Sequence, residues 1–365
     1  MGFDPGEIAD YLGKSADDIL AWEEGRDAPT YRQLERLAAK LKRPLSAFFL
    51  PTVPEPMPLP EDHRTLPDLV PDHYKPDTLY AFRAMANMLE EARELLDDLG
   101  YDLVYSLPTW SEHDSADSVA ERIRQDLGVT IETQTEEMAD HRKALDAWRS
   151  VLFDHGVLAR VCRMPIGDVR AFCILGQDLA GIGLSNEDRE HGRIFSLFHE
   201  VCHLGLRRPG ASARATASAG GRDQQWQLER YCDRFAAAFL MPSSCEAVHT
   251  DLERLGRDFS LSSATKVANK FKVSKYVAAR RALDLGYVDE AVYWPEINLW
   301  MGQDRERRAT RTTRESGGDY NATQISHSGR RFVALVLNAV DAGLITSVEA
   351  GRLIGVGPSV VDTLR

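Results

Sequence analysis

The segment His199-Glu200-Val201-Cys202-His203 fits the pattern H-E-x-x-H. Two histidines four positions apart lie on one face of a helix, so both imidazole rings can reach a single metal ion. The carboxylate of Glu200 lies to the side, where a water on that metal would sit. Zinc lowers the pKa of such a water towards about 7, and a carboxylate can accept its proton. The segment therefore predicts a zinc hydrolase with Glu200 as general base.

A second pair of functional side chains begins 26 residues after His203, in the segment QWQLERYCDRFAAAFLMP. Glu229 and Asp233 are four positions apart and share a helix face, next to a stripe of apolar residues: Leu228, Cys232, Phe235 and Phe239. We predict that Glu229 is the third, oxygen ligand of the metal. Asp233 is placed to accept the outer N–H of a ligand histidine. A chance motif and an ordinary solvated charge pair are the alternatives, and the apolar flanks disfavour both.

The elements that must position these residues are visible in the pattern. Three short, β-branched runs, VLARVCRM, VRAFCILG and LAGIGLSN, predict strands, and two helices are expected around 193–206 and 225–241. We expect a mobile surface loop, RRPGASARATASAGGRD, between these helices. The predicted fold is mainly α with a small α+β, zincin-like peptidase core, flanked by an N-terminal helix-turn-helix-like module and a C-terminal helical module.

Shifts in composition predict the domain boundaries. Residues 1–50 form the N-terminal module, and residues 51–66 form a linker because half of 51–60 is proline. A helical region follows at 67–150 and the metallopeptidase core at 151–290. The remainder, 291–365, is a linker with a small helical module at its end, and the charged run 303–316 is expected to belong to that linker.

The two site motifs resemble those of the ImmA/IrrE metallopeptidases. The resemblance implies zinc at His199, His203 and Glu229 with Glu200 as base, a Glu-zincin arrangement. It extends to stretches before and after the site and covers most of the chain. Cys202 stands where members often have glycine, and Cys232-Asp233 where Ala-Asn is common. The implied substrate is a regulatory protein, typically a helix-turn-helix repressor, cleaved in stress or mobile-element control.

The N-terminal segment AWEEGRDAPTYRQLERLAAKLKRPLSAFF resembles the second half of a Cro/C1-type (XRE) helix-turn-helix domain. The resemblance makes SADDILAWEEG the recognition helix, and the usual first helix is short or missing. Asp17 and Asp18 then occupy positions that normally face DNA bases, where carboxylates repel phosphates. Residues 1–50 are therefore predicted to dock a protein, or to be degenerate, more readily than to read DNA. A basic run at 266–281 is a second candidate for nucleic-acid contact, and a solvated helix face is the preferred interpretation.

The chain carries a net charge of −12, which argues against a general nucleic-acid-coating role. Its five cysteines form no CxxC pair, its first residues do not read as a signal peptide, and no apolar run is long enough to span a membrane. We expect a cytoplasmic zinc endopeptidase. A non-catalytic zinc-binding regulator, antitoxin-like or DNA-binding, is the alternative. The residue that stabilises the oxyanion stays open among five candidates: Tyr231, His249, Tyr276, Tyr320 and His327.

Overall fold

A computed structural model describes residues 3–52, 61–62, 74–208, 210–212, 224–309 and 319–365 of the chain. The described part is mainly helical with one small sheet. Its first three helices, α1 (Pro5–Leu12), α2 (Ala16–Glu23) and α3 (Tyr31–Lys40), are followed by a 3₁₀ turn at Leu45–Phe49. These helices pack around a small apolar cluster of their own, which includes Ile8, Leu12 and Ile19.

The sheet consists of three strands of five or six residues and two short ones. In chain order they are β1 (Glu61–Asp62), β2 (Val157–Cys162), β3 (Ala171–Leu175), β4 (Ala180–Ser185) and β5 (Gly210–Ser212). Their order across the sheet is β1-β5-β3-β4-β2. β2 runs parallel to β4, and β3 runs antiparallel to both β4 and β5. The three predicted strands are confirmed.

Successive side chains of a strand point to opposite faces of the sheet. Each face packs against its own apolar core. Val157 and Ala159 belong to the larger core, whereas Leu158 between them belongs to the smaller one. The larger core contains the helix that carries the H-E-x-x-H motif. The smaller core joins the other face to α4 (Pro76–Asp98) and to the C-terminal helices. The sheet thus has a catalytic-motif side and a C-terminal-module side.

The remaining helices lie on either side of this sheet. Before and around the strands come α5 (Ala116–Asp126), a short π-helix at Thr133–Glu137, α6 (His141–Phe153) and α7 (Glu190–Gly205). The motif side continues with α8 (Gln224–Leu240), α9 (Glu246–Arg257), α10 (Leu261–Phe271), α11 (Lys275–Asp284) and α12 (Glu290–Ala309). The C-terminal module comprises α13 (Tyr320–Ser328), α14 (Arg330–Asp341), α15 (Ser347–Ile354) and α16 (Pro358–Leu364).

The structure corrects two sequence predictions. Residues 303–309, expected in a charged linker, continue helix α12. Their charges do not prevent a helix, because Asp304 pairs with Lys275 on α11 at 2.9 Å. Residues 210–212, expected in a loop, pair with β3. The rest of that predicted loop, 213–223, and most of the predicted linker 51–66 lie outside the described residues. No helix in the described ranges is long and apolar enough to cross a membrane.

Candidate metal centre

Helix α7 carries the H-E-x-x-H motif through the interior of the larger core. Its apolar stripe, Ile194, Leu197, Phe198 and Val201, is fully buried. Phe198 stacks on Phe239 of α8 with ring centroids 4.0 Å apart, which joins the two site helices. At the C-terminal end, Gly205 packs so closely on the ring of Trp110 that a Cβ would lie 2.0 Å from it. Only glycine fits there, so the end of the motif helix is fixed in place.

Helix α8 supplies the second pair of residues. The predicted apolar stripe is confirmed, because Leu228, Cys232, Phe235 and Phe239 are all buried. Phe235 also stacks on Trp110 with ring centroids 5.3 Å apart, so one tryptophan contacts both site helices. This packing directs Glu229 towards α7, where its carboxylate reaches both motif histidines.

Three side chains converge on one point. The Nε2 atoms of His199 and His203 are 3.1 Å apart. The carboxylate of Glu229 lies 3.2 Å from Nε2 of His199 and 3.3 Å from Nε2 of His203. Ligand atoms about 2.0–2.1 Å from a tetrahedral zinc are separated by about 3.3 Å. The three groups therefore have the mutual spacing that a zinc site requires.

Asp233 fixes the orientation of His199. Its Oδ1 lies 2.8 Å from Nδ1 of His199 and accepts the N–H of that nitrogen. In a neutral imidazole with Nδ1 protonated, Nε2 keeps a lone pair, and this lone pair faces His203 and Glu229. Asp233 is half-exposed, whereas His199 is buried, so the carboxylate links the buried centre to the surface.

The centre attracts positive charge. Burial lowers the pKa of His199, but Glu229 and Asp233 outweigh that effect and hold the pKa well above its ordinary value. Burial likewise lowers the pKa of His203, and Cys232 and Glu229 more than restore it. Both histidines thus lie where the carboxylate of Glu229 stabilises a cation, and a metal ion is such a cation.

The carboxylate of Glu200 lies in the interior beside the motif histidines. The residue is 0% exposed, and neither carboxylate oxygen has a hydrogen-bond partner among the described residues. A buried carboxylate without partners costs several kcal/mol. Such a group is retained where a ligand completes it, so the donor set fits a metal with water beside it.

Cys232 offers a second donor set. Its sulfur and one ring nitrogen of each motif histidine lie within 4.8 Å of one another. Cys232 also hydrogen-bonds His203 and the neighbouring Cys202. The geometry is thus compatible with a metal on two histidines and either Glu229 or Cys232. Cysteine is a common zinc ligand, so the two sets must be separated by experiment.

A cleft of about 1350 Å³ opens beside the centre. It is lined by Phe195 and Asp233, and both contact His199: the ring centroids of Phe195 and His199 are 6.4 Å apart. Further lining residues come from the segment 265–284, which contains the whole basic run at 266–281. Two of the six bases of that run, Lys275 and Arg280, line the cleft.

The five candidates for stabilising the oxyanion differ in their position relative to this cleft. Tyr231 and Tyr276 line it, whereas His249, Tyr320 and His327 do not. His249 instead contacts Tyr287, with Nδ1 2.5 Å from the hydroxyl. Tyr276 donates to Asp304 at 2.8 Å.

Sequence reasoning missed three histidines that line the same cleft, His113, His141 and His191. His141 and His191 lie together with ring centroids 5.7 Å apart, although they belong to different helices. Only His191, on the face of α7 that also bears Phe195 and His199, could have been found from helical spacing.

Comparison with known proteins supports a peptidase assignment for this part of the chain. Residues 154–283 match the family model of the IrrE N-terminal-like domain, Peptidase_M78, which indicates a metallopeptidase-type function. The match contains both site helices and the basic run at 266–281. No curated protein matches the chain.

One solved structure with a distant likeness is a Mycobacterium tuberculosis transcriptional regulator, at 17% sequence identity and a TM-score of 0.31. The alignment covers 53% of this chain and 51% of that one, so about half of the regulator is matched. A likeness of this size carries no argument about the function of the present chain.

Proposed function

We propose that the protein is a zinc-dependent endopeptidase of the Glu-zincin type. The observation that carries the proposal is the buried group of His199, His203 and Glu229 around one point, with the partnerless Glu200 beside them. The match of residues 154–283 to Peptidase_M78 supports the reaction class. The resemblance to ImmA/IrrE proteins suggests the substrate, a regulatory protein such as a helix-turn-helix repressor.

The roles of the chain's residues follow from their chemistry. His199, His203 and Glu229 would hold the ion, and Asp233 keeps the proton of His199 on Nδ1. Bound zinc would supply Lewis acidity to the scissile carbonyl and to the attacking water. Glu200 accepts the proton of that water and passes it to the leaving amine nitrogen. Its lack of competing hydrogen bonds leaves both oxygens available for these transfers.

We favour Glu229 over Cys232 as third ligand. The carboxylate contacts both facing Nε2 atoms at 3.2–3.3 Å, so it lies on the side of the rings where their lone pairs meet. Cys232 makes its hydrogen bonds to His203 and to Cys202. The donors of the proposed set, two nitrogens and one oxygen with an open position, are those of catalytic zinc sites.

The rival function is a non-catalytic regulator that uses zinc for structure. A structural zinc site has four protein ligands and needs no general base. A buried, uncompensated Glu200 would then destabilise the fold without benefit. The same residue is expected in a hydrolase, so the burial of Glu200 favours the enzyme.

The test uses Glu200→Gln in the full chain. The amide is nearly isosteric and lies outside the proposed ligand set, so zinc content should match that of the wild type. Because an amide cannot act as a base, cleavage of a helix-turn-helix repressor substrate should fall by about two to four orders of magnitude. A zinc-loaded Glu200→Gln protein that cleaves as fast as the wild type would overturn the proposed function.

We further propose that the N-terminal module does not read DNA sequence. Asp17 on α2 is exposed. Asp18 forms a capping box with Ser15, in which the backbone N–H of Ser15 donates to the carboxylate of Asp18 at 3.0 Å. The first turn of α2 therefore presents acid where a DNA-reading helix presents donors. The full chain should bind duplex DNA weakly and without sequence preference. Sub-micromolar, sequence-specific binding at physiological salt would contradict this proposal.

A further inference from the structure

The cleft beside the metal centre carries an unusual arrangement of charge. Five acidic side chains line it: Glu112, Asp188, Asp233, Asp284 and Asp304. Each has a cationic or histidine partner. Asp188 pairs with Arg170 at 2.8 Å, Asp284 with Arg280 at 2.9 Å and Asp304 with Lys275 at 2.9 Å. Glu112 pairs with Arg208 at 3.2 Å, and Asp233 with His199 at 2.8 Å. The protein itself thus neutralises the acids of the cleft.

Among the six lysines and arginines that line the cleft, four pair with carboxylates: Arg170, Arg234, Lys275 and Arg280. The other two do not. Arg189 and Arg230 line the cleft, are exposed, and pair with no carboxylate among the described residues. The guanidinium of Arg230 lies 4.6 Å from the ring centroid of Trp226, which also lines the cleft and is 45% exposed. This cation–π contact holds the charge at the wall and leaves its N–H groups for a ligand. In a protein of net charge −12, the cleft therefore offers two arginines to an anionic ligand.

The two arginines mark the length of the site. Arg230 follows Glu229 directly, whereas Arg189 immediately precedes the first residue of α7. His199 lies ten positions after Arg189, a rise of about 15 Å along the helix axis. An extended peptide rises about 3.3 Å per residue, so about five residues span that distance. The cleft thus suits a short extended segment that passes the metal centre.

We propose that this cleft selects an acidic peptide segment, whose carboxylates pair with Arg230 near the metal centre and with Arg189 at the far end. The proposal rests on the proposed function, because it names the substrate class of the same site. Bidentate carboxylate recognition is the interaction for which arginine is best suited. A nucleic acid carries continuous phosphates that need a cation at many positions, whereas a peptide can place its few acids opposite the two arginines.

The test measures binding separately from cleavage. Fluorescein-labelled decapeptide libraries with either Glu, Gln or Lys fixed at alternate positions are titrated against full-length, zinc-loaded Glu200→Gln protein. The acidic library should bind about three- to thirtyfold more tightly than the Gln library, which is the range for two exposed ion pairs. The preference should weaken as salt is raised from 50 to 300 mM, because screening shortens the reach of exposed charges.

Arginine variants assign the effect to the cleft. Arg189→Glu/Arg230→Glu in the Glu200→Gln background should lose the preference for the acidic library and gain one for the Lys library. Arg142→Glu/Lys143→Glu, which changes the net charge equally at exposed positions of α6 outside the cleft lining, should keep the original preference. Unchanged zinc content and melting temperature show that the variants fold. Equal binding, or no binding, of the acidic and Gln libraries by the parent protein would overturn the proposal, as would loss of the preference in the α6 control.

Two further outcomes separate this proposal from others. A ten-nucleotide oligothymidylate that displaces the acidic peptides at lower concentration than unlabelled acidic peptide would overturn it in favour of a nucleic-acid site. Wild-type cleavage of protein substrates without an acidic preference would overturn it and leave the peptidase standing. If the protein prefers acidic peptides but Glu200→Gln cleaves as fast as the wild type, the proposed function is overturned and the acidic-peptide site is retained.

Discussion

Histidines of the metal centre and of the C-terminal module lie in opposite electrostatic surroundings. His199 and His203 are buried; Glu229 and Asp233 raise the pKa of the first ring, and Cys232 and Glu229 raise that of the second. His327 on α13 is partly buried, and three arginines, Arg193, Arg149 and Arg160, surround it. Burial and these cations lower its pKa to about 4. The first region accepts a cation and the second repels one.

This difference shows why the residue type alone does not define a site. All three histidines could be a ligand or an acid–base group when only the sequence is known. The fold gives the first two an anionic partner on α8 and gives the third a cationic wall. The predictions below test whether this contrast controls metal binding and stability.

The largest effect is expected from His203→Ala, which removes one nitrogen donor. Zinc content should fall from about one per chain to near zero, because a three-ligand site does not tolerate the loss. The wild type should lose thermal stability with a chelator, by about 4 kcal/mol if free zinc had been a thousandfold above its dissociation constant. The variant should not respond to the chelator. His113→Ala, which removes an exposed histidine of the cleft, should keep both zinc and the chelator response.

The next prediction distinguishes Glu229 from Cys232 as the third metal ligand. Glu229→Ala should lose zinc nearly as completely as His203→Ala, whereas Cys232→Ser should retain about one zinc per chain. The reason is that the carboxylate of Glu229 contacts both facing Nε2 atoms, at 3.2 and 3.3 Å. Metal analysis of the purified variants decides the matter. Zinc that survives Glu229→Ala and disappears in Cys232→Ser would assign the third ligand to the sulfur.

A smaller effect is expected at Asp233. Asp233→Asn replaces the anionic acceptor of the His199 N–H by a neutral amide, and loss of such a partner typically weakens metal affinity about 10- to 100-fold. Competition with a chromogenic zinc chelator measures the change. Asp284→Asn, which alters a carboxylate of the same cleft that pairs with Arg280, should leave zinc affinity unchanged. Equal zinc affinities of Asp233→Asn and wild type would show that Asp233 does not support metal binding.

The smallest effect is expected in the C-terminal module. The pKa of His327 is about 4 in the folded chain and 6.5 in the reference state. Below pH 6.5 the unfolded chain binds the proton more readily, so the free energy of unfolding falls as pH falls from about 6.5 to about 4. His327→Gln should reduce that loss by on the order of 1 kcal/mol, since the ring is only partly buried. Denaturant titrations at pH 7 and pH 5 measure it. An identical loss in both proteins would contradict the account.

The sequence predicted those parts of the site that depend on helical spacing. The pairing of His199 with His203, and of Glu229 with Asp233, follows from the four-residue separation, and the three main strands follow from composition. Which histidine Asp233 contacts could not be predicted, because that depends on how α8 packs against α7. The contact of Cys232 with His203 depends on the same packing.

The features that the sequence did not predict depend on contacts between residues far apart in the chain. Residues 303–309 look like a linker because they are polar on every side, yet Asp304 contacts Lys275 and Tyr276 and the segment is helical. His141 lies 50 positions before His191, and no local pattern connects them. The boundaries of the predicted domains, including the N-terminal module, remain predictions.

The most direct test of the central claim is a crystal structure of the zinc-loaded protein, with anomalous data collected at the zinc edge. The account predicts one anomalous peak per chain, about 2.0–2.2 Å from Nε2 of His199, Nε2 of His203 and a carboxylate oxygen of Glu229. A water should lie within hydrogen-bonding distance of Glu200. A peak on the sulfur of Cys232 in place of Glu229, or the absence of a peak between the two histidines, would contradict it.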